Sequence, residues 1–295
     1  MTVENVLIQA NDNGNPGVFA AVSAVQAGWN LLNMEARRLD QGQRWRGNTS
    51  DHEYVHVILG GVCHIHTNHG DFLNVGRRPN VFSGMPYALY LSRNTSFEIE
   101  ALTAGFEVAS CWVPTDRDYP AHLVTPSDSR VDLRGGGNAS RQVNSVIPPG
   151  FDCHRIVCVE AYIPGGNWAG YPPHKHDEHR EDGQGQVLEA DLEEIYFYKM
   201  DRRGGYAFQR IYTEDRQIDT VVMAQNNDIV LVPEGHHPTV SAPGYTTYLL
   251  NFLAWSAQSL ANTDDPAYAW VKDEWGQLDS RLPIVDHGME PNPVE

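Results

Sequence analysis

"DTVVMAQNNDIVLVPEGHHPTV", residues 219–240, contains the pattern that decides the fold. Two short runs of aliphatic residues are separated by Asn-Asn-Asp, and the second run ends at Pro-Glu-Gly. Short apolar runs between turn-forming residues are typical of β-strands. Similar runs recur along the chain, from "YVHVILGGVCHIHT" at residues 54–67 to "YTTYLLNFLAW" at residues 245–255. We therefore predict an all-β fold, with helix only around residues 257–275.

The two halves of the chain have the same order of motifs. "LLNMEARRLDQGQRW" at residues 31–45 parallels "IVCVEAYIPGGNWAGYPPH" at residues 156–174, since each has an apolar run, an acidic residue and a turn containing Gly. A long internal repeat of this kind predicts two copies of one β-barrel module. The segment at residues 114–145, with its triple glycine, is typical of a linker. We predict an N-terminal barrel over residues 1–140 and a C-terminal barrel over residues 141–295.

The charge and cysteine content limit the partners and the compartment. The chain carries 38 acidic and 21 basic residues, a net charge of −17, which argues against nucleic acid and anionic membranes as partners. An anionic substrate would therefore need a local basic pocket. Four scattered cysteines, with neither a signal peptide nor an apolar run of about 20 residues, lead us to expect a reduced cytoplasmic protein.

Closely spaced histidines suggest a metal site. "GYPPHKHDEH" at residues 170–179 contains His174 and His176, which point to the same side if the segment is extended. Pro172 and Pro173 favour that extended conformation. Paired imidazoles of this kind suit a divalent first-row metal.

A carboxylate and a later histidine complete the predicted ligand set. Glu194 opens the strand "LEEIYFYKM" at residues 192–200, on the same side as Tyr196. His236 and His237 follow Pro-Glu-Gly, and only one of them can point into a barrel. Three imidazoles and one carboxylate would leave room for a chelating substrate. Zinc is the first choice of metal, with manganese, iron and nickel as alternatives.

The first half lacks an equivalent set. His64 and His66 form a His-x-His pair without a later partner histidine, and Glu53 aligns with Glu194 in the repeat. We predict that the N-terminal barrel is metal-free.

Several segments resemble the 5-deoxy-glucuronate isomerases of bacterial myo-inositol breakdown, a family of the cupins. They include "PPHKHD", "LEEIYFYKM", "DIVLVPEGHHPTVSAPGY" and "YLLNFLAW", and further matches near both ends extend the resemblance over nearly the whole chain. The resemblance implies two tandem cupin (jelly-roll) β-barrels with metal in the second. It implies the ligands His174, His176, Glu194 and His237. His237 is preferred because the family usually has an aromatic residue before this histidine, where the chain has His236.

The resemblance also implies a reaction, an aldose–ketose isomerisation of 5-deoxy-D-glucuronate to 2-deoxy-5-keto-D-gluconate. A metal would polarise the carbonyl while a general acid–base moves a proton between adjacent carbons. A hydride shift is the alternative. Tyr196 and Tyr212 are the candidate acid–base residues, and both also suit core packing. For the substrate carboxylate, Arg210 is the first candidate and Lys175 the second, although Arg210 equally suits an ordinary ion pair.

Three other functions are compatible with the same residues. One is the related isomerase of pectin breakdown, which acts on a 4-deoxy-5-keto-uronate but has its glutamate closer to the histidine pair. The others are a cupin dioxygenase and a non-catalytic sugar-binding cupin. The expected partner is a small uronate substrate, and exposed strand edges favour a homo-oligomer.

Overall fold

A computed structural model describes residues 6–289, and its regular structure is almost entirely β-strand. The strands of the first half are β1 (Leu7–Ile8), β2 (Gly17–Val22), β3 (Asn33–Leu39), β4 (Arg44–Asn48), β5 (His52–Gly60), β6 (Cys63–Thr67), β7 (Gly70–Val75), β8 (Tyr87–Leu91), β9 (Ser96–Ala101), β10 (Phe106–Pro114) and β11 (His122–Val124). The strands of the second half are β12 (Arg130–Arg134), β13 (Arg141–Ile147), β14 (Val157–Ile163), β15 (Trp168–Ala169), β16 (His174–Lys175), β17 (Arg180–Glu181), β18 (Val187–Glu189), β19 (Leu192–Met200), β20 (Tyr206–Tyr212), β21 (Asp219–Gln225), β22 (Ile229–Val232), β23 (Thr239–Ser241), β24 (Thr247–Trp255) and β25 (Thr263–Asp264). The predicted all-β fold is confirmed.

Helical structure is short. The α-helix α1 (Ala24–Ala27) was not predicted, and a 3-10 helix at Ala269–Glu274 lies within the region where helix was expected. Two further 3-10 turns lie at Pro126–Asp128 and Gly137–Ala139. Within residues 6–289, no helix is both long enough and apolar enough to cross a membrane.

Each half forms a barrel from one large and one small antiparallel sheet. In the first barrel, a six-stranded sheet in the order β11-β8-β5-β10-β3-β2 accompanies a four-stranded sheet in the order β4-β9-β6-β7. In the second barrel, a seven-stranded sheet in the order β1-β22-β19-β24-β14-β13-β12 accompanies a four-stranded sheet in the order β15-β23-β20-β21. The predicted pair of tandem barrels is therefore present.

Strand alternation divides the side chains of β19 between two cores. Tyr196 and Tyr198 are buried inside the second barrel, whereas Ile195 and Phe197 belong to a larger cluster shared with the first barrel. Successive residues of a strand point to opposite faces, so Glu194 lies on the tyrosine side as predicted. This alternation directs a carboxylate into the second barrel while its neighbours join the two barrels.

The first strand of the chain belongs to the second barrel. β1 pairs with β22 of the second barrel, whereas β11 pairs with β8 of its own half. β12 pairs with β13 at the edge of the second barrel's large sheet. The division at residue 140 itself stays a prediction.

Two glutamates fasten the barrels to each other in equivalent ways. The carboxylate of Glu193 accepts hydrogen bonds of 2.8–3.1 Å from the backbone N–H groups of residues 30–32, which lead into β3. Glu53 accepts bonds of 2.7–3.2 Å from residues 154–156, which lead into β14. The alignment of Glu53 with Glu194 was therefore wrong, because its structural equivalent is Glu193.

The linker predicted at residues 114–145 is also wrong, because this segment carries β11, β12 and the start of β13. Alternation in "RVDLR", residues 130–134, fits a strand, and the triple glycine is the turn of the β12–β13 hairpin. Gly135 has φ +80°, a conformation that residues with a side chain rarely adopt. The glycines therefore mark a tight turn rather than a flexible connection.

Candidate active site

Three buried side chains converge inside the second barrel. Nε2 of His176 lies 2.8 Å from Oε2 of Glu194, and Nε2 of His237 lies 3.1 Å from the same oxygen. One ligand atom from each of the three lies within 4.8 Å of the others. His174 lines the same cavity with its ring centroid 5.0 Å from that of His237, although it lies outside the tight group.

Hydrogen bonds orient two members of this group. Nδ1 of His237 lies 2.8 Å from the carbonyl oxygen of Gly235, which can only accept, so Nδ1 donates and Nε2 is the nitrogen directed at Glu194. Nδ2 of Asn251 donates to Oε1 of Glu194 at 2.6 Å, which leaves Oε2 for the histidines. Such outer contacts typically fix the orientation of metal ligands.

The protonation of the group suits a cation. Burial raises the pKa of Glu194, but its hydrogen bond with His176 and the close approach of His237 outweigh burial and hold that pKa well below its ordinary value. Burial, helped by the neighbouring His237 and His176, lowers the pKa of His174 far below its ordinary value, so this imidazole is neutral. Nε2 of His237 is buried without a hydrogen-bond partner. A carboxylate and two imidazole nitrogens directed at one point are a donor set that fits a divalent metal ion once the metal displaces the proton shared by His176 and Glu194.

His174, His176 and Glu194 line a cavity of about 540 Å³. Its apolar wall includes Val159, Leu249 and Leu253, and the phenol ring of Tyr196 lies on the same wall as Glu194. Burial and the Glu194 charge raise the pKa of Tyr196 well above its ordinary value, so the phenol keeps its proton. The other lining residues with polar groups are Arg134, Arg141, Tyr171, Asn251, Asn262, Asp264, Lys272 and Trp275.

The structure does not bring Arg210 or Tyr212 to this cavity. On β20 the buried alternate positions are Ala207, Gln209 and Ile211, so Arg210 faces the other side. Arg210 forms a bidentate ion pair with Asp219 at 2.8–2.9 Å, and its guanidinium stacks on the ring of Tyr212. The hydroxyl of Tyr212 donates to Asp265.

His236 and Lys175 also point elsewhere. The ring of His236 stacks on Tyr212 with centroids 5.0 Å apart, so His237 rather than His236 approaches Glu194. Nζ of Lys175 donates to Glu189 at 3.1 Å, on the opposite side of its strand from His174. Lys175 thus anchors the loop between His176 and Glu194.

The histidine pair of the first barrel has local partners. Nδ1 of His64 accepts the backbone N–H of Asn74, and Nδ1 of His66 lies 2.9 Å from Asp71. Both side chains lie on β6, towards the surface.

The sequence interpretation missed the cations of the cavity. Arg134 and Arg141 come from the segment interpreted as a linker, and Lys272 comes from the short C-terminal helix. The signal was present in "RVDLRGGGNASRQ", residues 130–142, where two arginines flank a glycine turn in a strongly acidic chain. A hairpin there would have placed them opposite each other.

Comparison with family models gives a match to the KduI/IolB family over residues 6–271. The chain is 37% identical over 268 residues to the 5-deoxy-glucuronate isomerase of Geobacillus thermodenitrificans, covering 90% of this chain and 96% of that protein. It is 33% identical over 245 residues to the 5-deoxy-glucuronate isomerase of Bacillus subtilis strain 168, covering 82% of this chain and 88% of that protein.

Solved structures are similar over comparable lengths. An IolB-like protein from Salmonella typhimurium LT2 matches with a TM-score of 0.85 and 28% identity, covering 90% of this chain and 99% of that chain. An oxalate decarboxylase of Bacillus subtilis, also a cupin, matches with a TM-score of 0.63 and 12% identity, covering 99% of this chain and 89% of that chain. The second likeness concerns the fold alone, and it agrees with the predicted cupin barrels.

Proposed function

The chain belongs to the KduI/IolB family, and from this membership we propose that it is a 5-deoxy-glucuronate isomerase. The enzyme converts 5-deoxy-D-glucuronate to 2-deoxy-5-keto-D-gluconate, an aldose–ketose isomerisation of myo-inositol degradation in the cytoplasm. The observation that carries this function is the convergence of the buried His176, Glu194 and His237 side chains, at a cavity that His176 and Glu194 line. The names of the relatives, which align with most of the chain, give the substrate.

His176, Glu194 and His237 would hold a divalent metal ion, with His174 as the fourth ligand. Zinc is the proposed metal, and manganese, iron and nickel accept the same donors. When bound, the ion would polarise the substrate carbonyl and stabilise the negative charge that develops on its oxygen.

The protein residues position the substrate and handle its protons. The hydrogen bond from Asn251 keeps the Glu194 carboxylate in a fixed orientation. Val159, Leu249 and Leu253 exclude water from one wall of the cavity. The Tyr196 hydroxyl donates a proton to the carbonyl oxygen as the enediol forms, and the resulting phenolate takes the proton of the neighbouring hydroxyl as the ketone forms. The proton that leaves the neighbouring carbon passes to water in the cavity, and water returns one to the former carbonyl carbon, so substrate, water and Tyr196 all end with balanced protons.

Turnover can be followed by NMR with 5-deoxy-D-glucuronate in D₂O. We expect conversion to the ketose, with deuterium incorporated at the carbon that gains a hydrogen, because an enediol exchanges its proton with solvent. Conversion without deuterium would indicate a hydride shift within the same isomerase function. No conversion by the metal-loaded protein would overturn the proposed function.

A further inference from the structure

Arg141 is a cation in an unusual position. It lines the cavity with His174 and Glu194, and its guanidinium donates to the carbonyl oxygen of Ala139 at 3.2 Å. Within residues 6–289, no carboxylate lies within salt-bridge distance of it. Burial, followed by the charge of Arg134, lowers the pKa of Arg141 to about 10, so it remains charged at neutral pH. A half-buried charge without an ionic partner is unfavourable.

The other cations of the cavity already have acidic partners. Arg134 lies directly opposite Arg141 in the β12–β13 ladder, an arrangement of like charges that is unfavourable. Arg134 pairs with Asp132 at 3.3 Å, and Lys272 pairs with Asp264. Among the cavity cations in the described part of the chain, Arg141 is the one left to bind an anion.

The triple-glycine turn is shaped around this guanidinium. A Cβ at Gly135 would lie 2.1 Å from the carbonyl oxygen of Ala139 and 2.9 Å from Nη1 of Arg141. A Cβ at Gly136 would lie 2.4 Å from the carbonyl oxygen of Gly276 in the C-terminal segment. Side chains at these positions would displace either the guanidinium or the C-terminal segment that packs on the turn. The turn therefore holds Arg141 at the cavity wall.

We infer that Arg141 binds the carboxylate of the uronate substrate and so presents the carbonyl end to His176, Glu194 and His237. This role rests on the proposed function, because it takes the carboxylate from the named substrate. A planar guanidinium offers paired N–H donors to the two carboxylate oxygens. It also gives this acidic protein the local basic group that an anionic substrate requires. Arg141 is a binding and positioning residue rather than a proton-transfer group.

A calorimetric titration of the purified protein tests this role without catalysis. One probe is the acid obtained by reducing the aldehyde of 5-deoxy-D-glucuronate to an alcohol, which cannot isomerise, and the other is its carboxamide. Arg141→Gln should weaken binding of the acid at least about 30-fold, because it removes one partner of a desolvated charge pair. It should leave carboxamide binding nearly unchanged. Arg141→Lys should lie between the two, since it keeps the charge and loses the paired donors.

Arg130→Gln is the matched control. Arg130 lies on the neighbouring strand β12, its side chain is 73% exposed, and it pairs with Asp132. It should bind both probes like the wild type. Thermal unfolding without ligand should show Arg141→Gln at least as stable as the wild type, because a half-buried charge without a carboxylate partner has been removed. If Arg141→Gln fails to fold, Arg141→Lys tests the role instead. An acid-to-carboxamide affinity ratio below that of the wild type supports carboxylate binding by Arg141, and an equal ratio contradicts it.

The kinetic arm separates this inference from the proposed function. With 5-deoxy-D-glucuronate, Arg141→Gln should raise KM more than it lowers kcat, with unchanged metal content. Wild-type turnover together with equal acid affinity of Arg141→Gln and wild type would overturn the Arg141 assignment and leave the isomerase function standing. Absence of wild-type turnover would overturn the function, while the affinity ratio would still decide whether Arg141 recognises a carboxylate.

Discussion

At the scale of single residues, the Glu194 carboxylate is the most constrained group in the cavity. Its Oε2 faces the Nε2 atoms of His176 and His237 at 2.8 and 3.1 Å, and its Oε1 accepts from Asn251. Because every neighbour is itself buried, the carboxylate has little freedom to rotate. Each contact therefore contributes to the geometry of the donor set.

The first prediction concerns the amide that orients Glu194. Asn251→Leu removes the bond to Oε1, and we expect metal affinity and turnover to fall by about 10–100-fold, the usual effect of losing an outer contact. Metal titration and kcat/KM measure this change. Asn262→Ala is the control, because Asn262 lines the same cavity but donates to the carbonyl oxygen of Leu260. Equal metal affinities in the two variants would contradict the orienting role of Asn251.

The second prediction separates the two candidate tyrosines. Tyr196→Phe should lower kcat by about 10²–10⁴-fold, because the hydroxyl inside the cavity is removed, while metal content stays unchanged. Tyr212→Phe should leave kcat within a few-fold of wild type, because its hydroxyl faces Asp265 outside the cavity. A larger loss from Tyr212→Phe than from Tyr196→Phe would reverse the assignment.

At the scale of elements, the segment between His176 and Glu194 is an anchored loop. It contains the short hairpin β17–β18, and the buried carboxylate of Glu189 ties it to the barrel. Glu189 accepts bonds from Lys175 and Arg180, from Thr263 on β25, and from the backbone of Asp177. Glu189 therefore joins both ends of the inserted loop to the C-terminal segment beside the cavity.

The third prediction follows from this anchor. Burial raises the pKa of Glu189, but bonds from Thr263, Arg180 and Lys175 outweigh it and lower that pKa to about 2. The ionised carboxylate therefore stabilises the fold above its unfolded pKa of about 4.3, and this stabilisation is lost as the pH falls towards 2. Glu189→Gln should cost about 1–3 kcal/mol at pH 7, measured by urea unfolding.

The difference in unfolding free energy between wild type and Glu189→Gln should shrink as the pH is lowered through that window. Glu181→Gln is the control, because this half-exposed side chain lies on the same hairpin and, within residues 6–289, forms its ion pair with His179. A difference that grows on acidification would contradict the assigned role of Glu189.

At the scale of the whole molecule, the two barrels form one packed unit. Val55 and Val57 of β5 share a buried cluster with Phe197 of β19 and Phe252 of β24. The Glu53 and Glu193 carboxylates fasten each barrel to the backbone that enters the other. Glu193 precedes Glu194 directly, so the contact between barrels also fixes the start of the strand that carries the site. The N-terminal barrel thus stabilises the C-terminal barrel, which contains the donor set.

The fourth prediction tests this support. Glu53→Ala leaves the backbone N–H groups of residues 154–156 without their acceptor and should cost at least about 2 kcal/mol. Urea unfolding monitored by tryptophan fluorescence and by circular dichroism should show a single coincident transition at lower urea. Metal content should stay unchanged in the folded range, because Glu53 lies outside the cavity. Two separated transitions, with only the first shifted, would show that the barrels unfold independently.

The strands and the histidine–glutamate set could be predicted from sequence, because both depend on short-range patterns. Turn-forming residues stand at both ends of each apolar run, and the alternation of side chains along a strand puts Glu194 and Tyr196 on one face. Whether the Arg210 side chain points into the barrel depends on which alternate residues of β20 point inward. The residues next to Arg210 in the sequence do not determine this. Arg141 was hidden because a glycine-rich turn and a linker have similar compositions, and only the strand pairing distinguishes them.

The most direct test of the account is metal content per chain, measured by mass spectrometry together with turnover of 5-deoxy-D-glucuronate. The wild type should hold about one divalent ion and turn over the sugar acid. Glu194→Gln and His237→Ala should lose both, whereas His236→Ala, whose ring stacks on Tyr212, should keep both. Full metal content and turnover in Glu194→Gln, or turnover by a metal-free wild type, would contradict the account.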